Sequence, residues 1–108
     1  MSIQRLLSGC FAALILVTSG QALALQNFSG RVTGIELTYM PTSVRFTLDQ
    51  GNAACPAGTQ LVWANASADN NKVVYAAVST ALANGQRISF FINDNDTSCV
   101  GRFIYLSP

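Results

Sequence analysis

The stretch that decides the fold is Asn71–Ile92, NKVVYAAVSTALANGQRISFFI. Val74, Ala77, Val78, Ala81 and Leu82 recur at helical spacing, so they predict an amphipathic helix of roughly 15 residues, about 22 Å long, with these residues as its buried stripe. Ser67 or Asp69 can cap its start, since either side-chain oxygen can accept an orphan backbone N–H. Gly85 stands where a left-handed C-terminal cap belongs. Beyond it, Ile88, Phe90 and Ile92 alternate with Arg87, Ser89 and Phe91, which predicts a strand over Arg87–Asn93. Phe91 then faces outward, either under a neighbouring loop or at an interface.

Working outward, three strand patterns precede the helix and one more follows the fourth strand. From Phe28 the apolar set runs Phe28, Gly30, Val32 and then reappears one position out of phase as Ile35, Leu37, Tyr39. A single extra residue near Gly34 produces that shift, which predicts a β-bulge or bend in one long first strand. Residues 25–27 read as a frayed terminus. Met40-Pro41-Thr42-Ser43 is a turn, and Val44, Phe46 and Leu48 mark a second strand. Gln60–Ala64 is a short third strand with Leu61 and Trp63 on one face, and Arg102–Leu106 is a last strand, apolar on both faces. Three strands, a helix, then two strands, with a bent first strand, predict a mainly β domain. It is a small five-stranded OB-fold-like (oligonucleotide/oligosaccharide-binding) barrel with the helix between strands three and four. A ferredoxin-like or plain meander sheet with a helix is the alternative.

The chain begins with Arg5, an apolar run Leu6–Val17 and the small-residue pattern Ala22-Leu23-Ala24. That is the grammar of a secretory signal peptide over residues 1–24, leaving 25–108 as one domain exported to a bacterial periplasm or beyond. The run falls short of the roughly 20 residues a membrane-spanning helix needs, so no span is expected in the mature chain. Cys10 leaves with the leader. Cys55 and Cys99 remain, and two cysteines in a short exported chain are expected to pair, joining the second-to-third and fourth-to-fifth loops.

Charge and chemistry narrow the function. Beyond the leader, Arg31, Arg45, Lys72, Arg87 and Arg102 are matched by Glu36, Asp49, Asp69, Asp94 and Asp96. A nucleic-acid partner, which rewards a basic surplus, is therefore not expected. The chain has no histidine, no glycine-rich phosphate cradle and no serine with an evident base, so no catalytic residue and no cofactor are assigned. Asp94, Asp96 and Ser98 echo the start of a calcium loop but lack its glycine and closing glutamate, and no metal site is assigned. What remains is binding. Tyr39 beside Thr42 and Ser43, and Trp63 before Asn65 and Ser67, each set an aromatic ring near hydroxyl and amide groups, a chemistry that suits sugars. Ala76, Thr80 and Ala83 form a second, small-residue helix face that would allow a close neighbour.

The segments FSGRVTGIEL (28–37) and AVSTALANGQRISFFI (77–92) resemble the corresponding parts of B subunits of bacterial A–B toxins of the subtilase-cytotoxin and typhoid-toxin type. The resemblance covers about half of the mature chain. It implies a secreted barrel of the same element order, rings of five copies with helices around a central channel, recognition of cell-surface glycans and an A-type partner subunit. Under it, the ligand residues would be sought among Tyr39, Thr42, Ser43 and Trp63, and the ring contacts among Ala76, Thr80, Ala83 and Phe91. The competing expectation is a stand-alone periplasmic interaction or inhibitor protein.

Overall fold

Residues 24–108 are described by a computed structural model; the signal-peptide reading lies almost wholly outside them. In chain order the elements are β1 (Leu25–Glu36), β2 (Val44–Leu48), β3 (Leu61–Trp63), α1 (Ala68–Asn84), β4 (Arg87–Asn93) and β5 (Gly101–Ser107). The strands form one antiparallel sheet in the order β3-β2-β1-β4-β5. It curls into a half-barrel whose two edges meet at a parallel bridge between Val62 and Val100. There the Val62 N–H donates to the Cys99 carbonyl at 3.0 Å. Five strands with one helix after the third form a small OB-fold-like domain, as the element order predicts.

β1 does the bending. Its first half, Leu25 to Arg31, pairs with β4, and its second half, Val32 to Glu36, pairs with β2. The register slips between Val32 and Gly34, where the sequence changes phase. One strand can thus serve both halves of the half-barrel, because a one-residue slip swaps which side chains face inward. The expected frayed start is corrected: Leu25, Gln26 and Asn27 pair with Asn93, Ile92 and Phe91, and the Asp94 N–H donates to the Ala24 carbonyl at 2.9 Å. A long β4 supplies a ladder for them that their own polar pattern does not advertise.

The core gathers Phe28, Val32, Val44, Phe46, Leu48, Leu61, Ile88, Phe90 and Ile92 from the sheet and Val74, Val78 and Ala81 from α1. Phe90 lies at its centre, edge-on to Phe46 at 5.5 Å and tilted against Phe28 at 5.9 Å. α1 starts at Ser67, whose hydroxyl accepts from the Asn70 N–H, and stops at Gly85, whose φ of 68° suits a residue without a Cβ. Its buried line is Asn71, Val74, Val78 and Ala81. Two members of the expected stripe depart from it: Ala77 is half-buried, and Leu82, on the flank of that line in the last turn, is 45% exposed.

At Gly101 the backbone passes against the core aromatics. A Cβ there would lie 2.6 Å from the Phe90 ring and 2.9 Å from Trp63 Cε3. Gly101→Ala is expected to cost about 1–3 kcal/mol through overpacking, read as a lowered midpoint in urea unfolding. A midpoint equal to the parent's would show that β5 has room to shift.

The Cys55–Cys99 disulfide is present, with Cα atoms 5.9 Å apart and both residues buried. It ties the β2–β3 loop to the β4–β5 loop beside the Val62–Val100 closure, as expected.

Candidate functional site

The candidate site lies where the β1–β2 turn, the β3–α1 connection and the first turns of α1 meet. A cleft of about 310 Å³ opens there, lined by Pro41, Thr42, Asn65, Ala66, Ala68 and Asn71. That volume is at the lower end of small-molecule sites and suits one compact polar ligand.

Asn71 builds the cleft. It is 1% exposed, and its side chain binds three chain segments. Its Nδ2 donates to the carbonyls of Pro41 at 2.9 Å, Thr42 at 3.0 Å and Asn65 at 3.0 Å, while its Oδ1 accepts from the Asn65 N–H at 2.9 Å. Two N–H groups thus serve three carbonyls, and both donors of the amide are used. Asn65 is fixed in turn, its Oδ1 accepting from the Ser67 N–H at 2.9 Å. The β1–β2 turn is held from its other side by the Tyr39 carbonyl, which accepts from the N–H groups of Thr42 and Ser43. Among the described residues the Thr42 hydroxyl and Asn65 Nδ2 make no hydrogen bond within the protein, so the rim offers a hydroxyl and an amide donor beside the Pro41 ring.

The same turn carries an aromatic–cation pair. The Arg45 guanidinium sits 4.0 Å from the centre of the Tyr39 ring, and Tyr39 as a residue is 43% exposed. Arg45 Nε donates to Ser43 Oγ at 3.3 Å and its Nη1 to Gln60 Oε1 at 3.5 Å. Gln60 Nε2 then donates to Glu36 Oε1 at 2.6 Å. A polar chain therefore crosses β1, β2 and the entry to β3, on the part of this fold class that commonly meets ligands.

The residues singled out in the sequence separate into different roles. Tyr39 and Thr42 belong to the exposed turn, and Thr42 lines the cleft. Ser43 is 4% exposed and engaged by Arg45, so it supports the turn from beneath. Trp63 is half-buried against the core, and its Nε1 donates to Asn70 Oδ1 at 2.9 Å, which ties β3 to the first turn of α1. Ala76, Thr80 and Ala83 are exposed on α1, with the Thr80 hydroxyl donating back to the Ala76 carbonyl at 2.9 Å. Phe91 is half-buried, edge-on to Tyr105 at 5.5 Å and Phe103 at 6.3 Å, so β5 covers part of it.

The Asp94–Ser98 run serves the backbone. Asp96 Oδ1 accepts from the N–H and hydroxyl of Ser98, and Oδ2 from the Val100 N–H. The Ser98 hydroxyl foremost, helped by these N–H groups, holds the Asp96 carboxyl below its ordinary value. Those bonds brace Cys99, which has a φ of 59° that a non-glycine residue seldom adopts.

Asn71, Pro41 and Arg45 were not among the residues expected at a site, whereas Asn65 was, as the amide beside Trp63. One signal did point to Asn71: it precedes Val74, Val78 and Ala81 on the buried line, and a polar residue there needs partners. Comparison with family models, with curated proteins and with solved structures returns no match.

Proposed function

We propose that the chain is an exported, non-catalytic binding module that takes a saccharide unit at the cleft between the β1–β2 turn and the start of α1. The observation carrying this reading is the cleft itself. Its wall is locked by Asn71, its rim offers Thr42 and Asn65, and the half-open Tyr39 ring lies on the same turn. Rim hydroxyl and amide groups without partners suit a sugar better than a purely apolar ligand, and the partly exposed Tyr39, outside the cleft lining but on the same turn, carries the Arg45 guanidinium over its ring. Export is supported by the disulfide and by the leader grammar of residues 1–24. No helix among the described residues is long and apolar enough to cross a membrane. Every residue lining the cleft comes from one copy, so the reading applies to a monomer, a dimer or the ring of five that the toxin B-subunit resemblance implies.

The test is a glycan array probed with the oxidised protein beginning at Leu25, with folding verified by circular dichroism. Tyr39→Ala and Thr42→Ala are each expected to weaken the best hit about tenfold, equivalent to ~1.4 kcal/mol, with an unchanged spectrum. Trp63→Ala is expected to lower stability instead, because its ring packs on the core. A folded protein that binds no glycan, or affinities untouched by both turn substitutions, would sink the reading. The second reading, a periplasmic protein-interaction or inhibitor module, is favoured by one observation: Phe103 and Tyr105 lie half-exposed on β5, and cross-linking to another exported protein would support it.

A further inference from the structure

The outer face of the sheet half formed by β1, β4 and β5 is unlike an ordinary water-facing surface. Its ladders stack side chains in rows: Leu25 with Asn93; Asn27, Phe91 and Phe103; Ser29, Ser89 and Tyr105; Arg31, Arg87 and Ser107. An antiparallel sheet packed on a core by one face usually keeps the other polar. Here Leu25 is 46%, Phe103 48% and Tyr105 56% exposed, and both rings stand edge-on to Phe91.

Charge is sorted over the same region. The chain beyond the leader is balanced, yet 25–31, 87–93 and 101–107 together carry Arg31, Arg87 and Arg102 and no carboxylate. Arg102 is the extra residue of a bulge, since Phe91 pairs with Phe103 and Ile92 with Gly101. Of the acids at the borders, Asp49 spends Oδ1 on the Arg31 N–H, and Asp96 uses both oxygens on Ser98 and Val100. Asp94 stands just past the end of β4.

Arg31 and Arg87 are register partners, like charges directly opposed, which by itself is destabilising. Their arms part in opposite directions along the ladder. Arg87 donates to the Ser29 carbonyl at 2.9 Å and to its Oγ at 3.3 Å, whereas Arg31 Nε donates to the Gly85 carbonyl at 3.1 Å. The two guanidinium groups are thereby held on the order of 10 Å apart. One phosphate group cannot join both at that spacing, but neighbouring phosphates of a headgroup layer can each meet one.

We propose that this convex face docks on an anionic phospholipid surface, with the arginines on headgroup phosphates and Leu25, Phe103 and Tyr105 at the interface. Guanidinium groups pair strongly with phosphate, and aromatic rings settle at the headgroup level. None of these residues lines the cleft, so the two sites are separate. Three cations give a weak, reversible and salt-dependent attachment.

Co-sedimentation of the oxidised protein beginning at Leu25 with vesicles of phosphatidylglycerol and phosphatidylcholine, against phosphatidylcholine alone, tests this. The anionic vesicles are expected to bind at least tenfold more strongly, and progressively less as salt is raised. Arg31→Gln is expected to weaken binding about fivefold, and Phe103→Ser and Tyr105→Ser by a similar factor. Lys72→Gln removes the same charge from an exposed position on α1 and is expected to leave binding unchanged. In the unaltered protein, anionic vesicles should slow deuterium exchange at the amides of 101–107 and leave those of 37–43 unaffected. No sedimentation with anionic vesicles, equal binding to both kinds, or equal losses from Arg31→Gln and Lys72→Gln would overturn the proposal. So would a glycan or an exported protein held through Phe103 and Tyr105 that anionic vesicles fail to displace. The exchange measurement needs no variant, so it decides the matter even if a substitution disturbs folding.

Discussion

Replacing both Cys55 and Cys99 with alanine is expected to remove about 4 kcal/mol of stability, the entropy of closing a loop of this length in the unfolded chain. Domains of this size hold only about 5–15 kcal/mol in total, so the loss takes a large share of what keeps the chain folded. The disulfide's position adds a local effect. Among the described residues the half-barrel closes at one bridge, Val62–Val100, next to Cys99. With the loops untied, the Val62 N–H should exchange faster than the β1–β4 ladder even under conditions where the rest stays folded. Urea unfolding of the parent and the double variant, with exchange at Val62, reads both effects. A loss below about 1 kcal/mol with Val62 still protected would mean that side-chain packing alone closes the half-barrel, contrary to the loop-entropy argument.

Asn71→Ala is expected to be strongly damaging for a polar substitution, at about 3 kcal/mol and a fall in Tm of roughly 15 °C for a domain this small. Alanine would leave the carbonyls of Pro41, Thr42 and Asn65 and the Asn65 N–H without their shared partner. Water entering from the cleft would satisfy some of them, which keeps the cost below that of a sealed core site. Asn71→Asp should be worse at neutral pH, because a carboxylate can only accept and would face three carbonyls. Thermal unfolding of both variants gives the answer. An alanine variant within about 0.5 kcal/mol of the parent, the usual range of a surface substitution, would show that the turn and helix hold together without the clamp. If the clamp acts as described, Asn71→Ala should also weaken any glycan found on the array, since it fixes the cleft wall.

The sequence by itself was enough for the order of elements, the phase change in β1, the glycine stop of α1 and the disulfide. Each rests on a local signal or on simple counting. Alternation with period two marks β2 and β4, one displaced residue near Gly34 marks the slip, and the two cysteines beyond the expected leader have one way to pair. The site was legible only in part. Tyr39 and Thr42 stood out as an aromatic ring beside a hydroxyl, but nothing local says that Arg45 lies against that ring, or that Ser43 is buried beneath the turn. Trp63 looked equally suited to a ligand, until its packing on the core and its bond to Asn70 gave it a structural place. The ordered start of β1 and the exposure of Leu82 were likewise decided elsewhere in the chain, by the length of β4 and by where the sheet stops covering α1. Asn71 is the sharpest case, because its partners lie up to 30 residues away. A side chain's own neighbours in sequence fix the backbone it prefers, but its hydrogen-bond partners and its cover come from segments that only folding brings within reach.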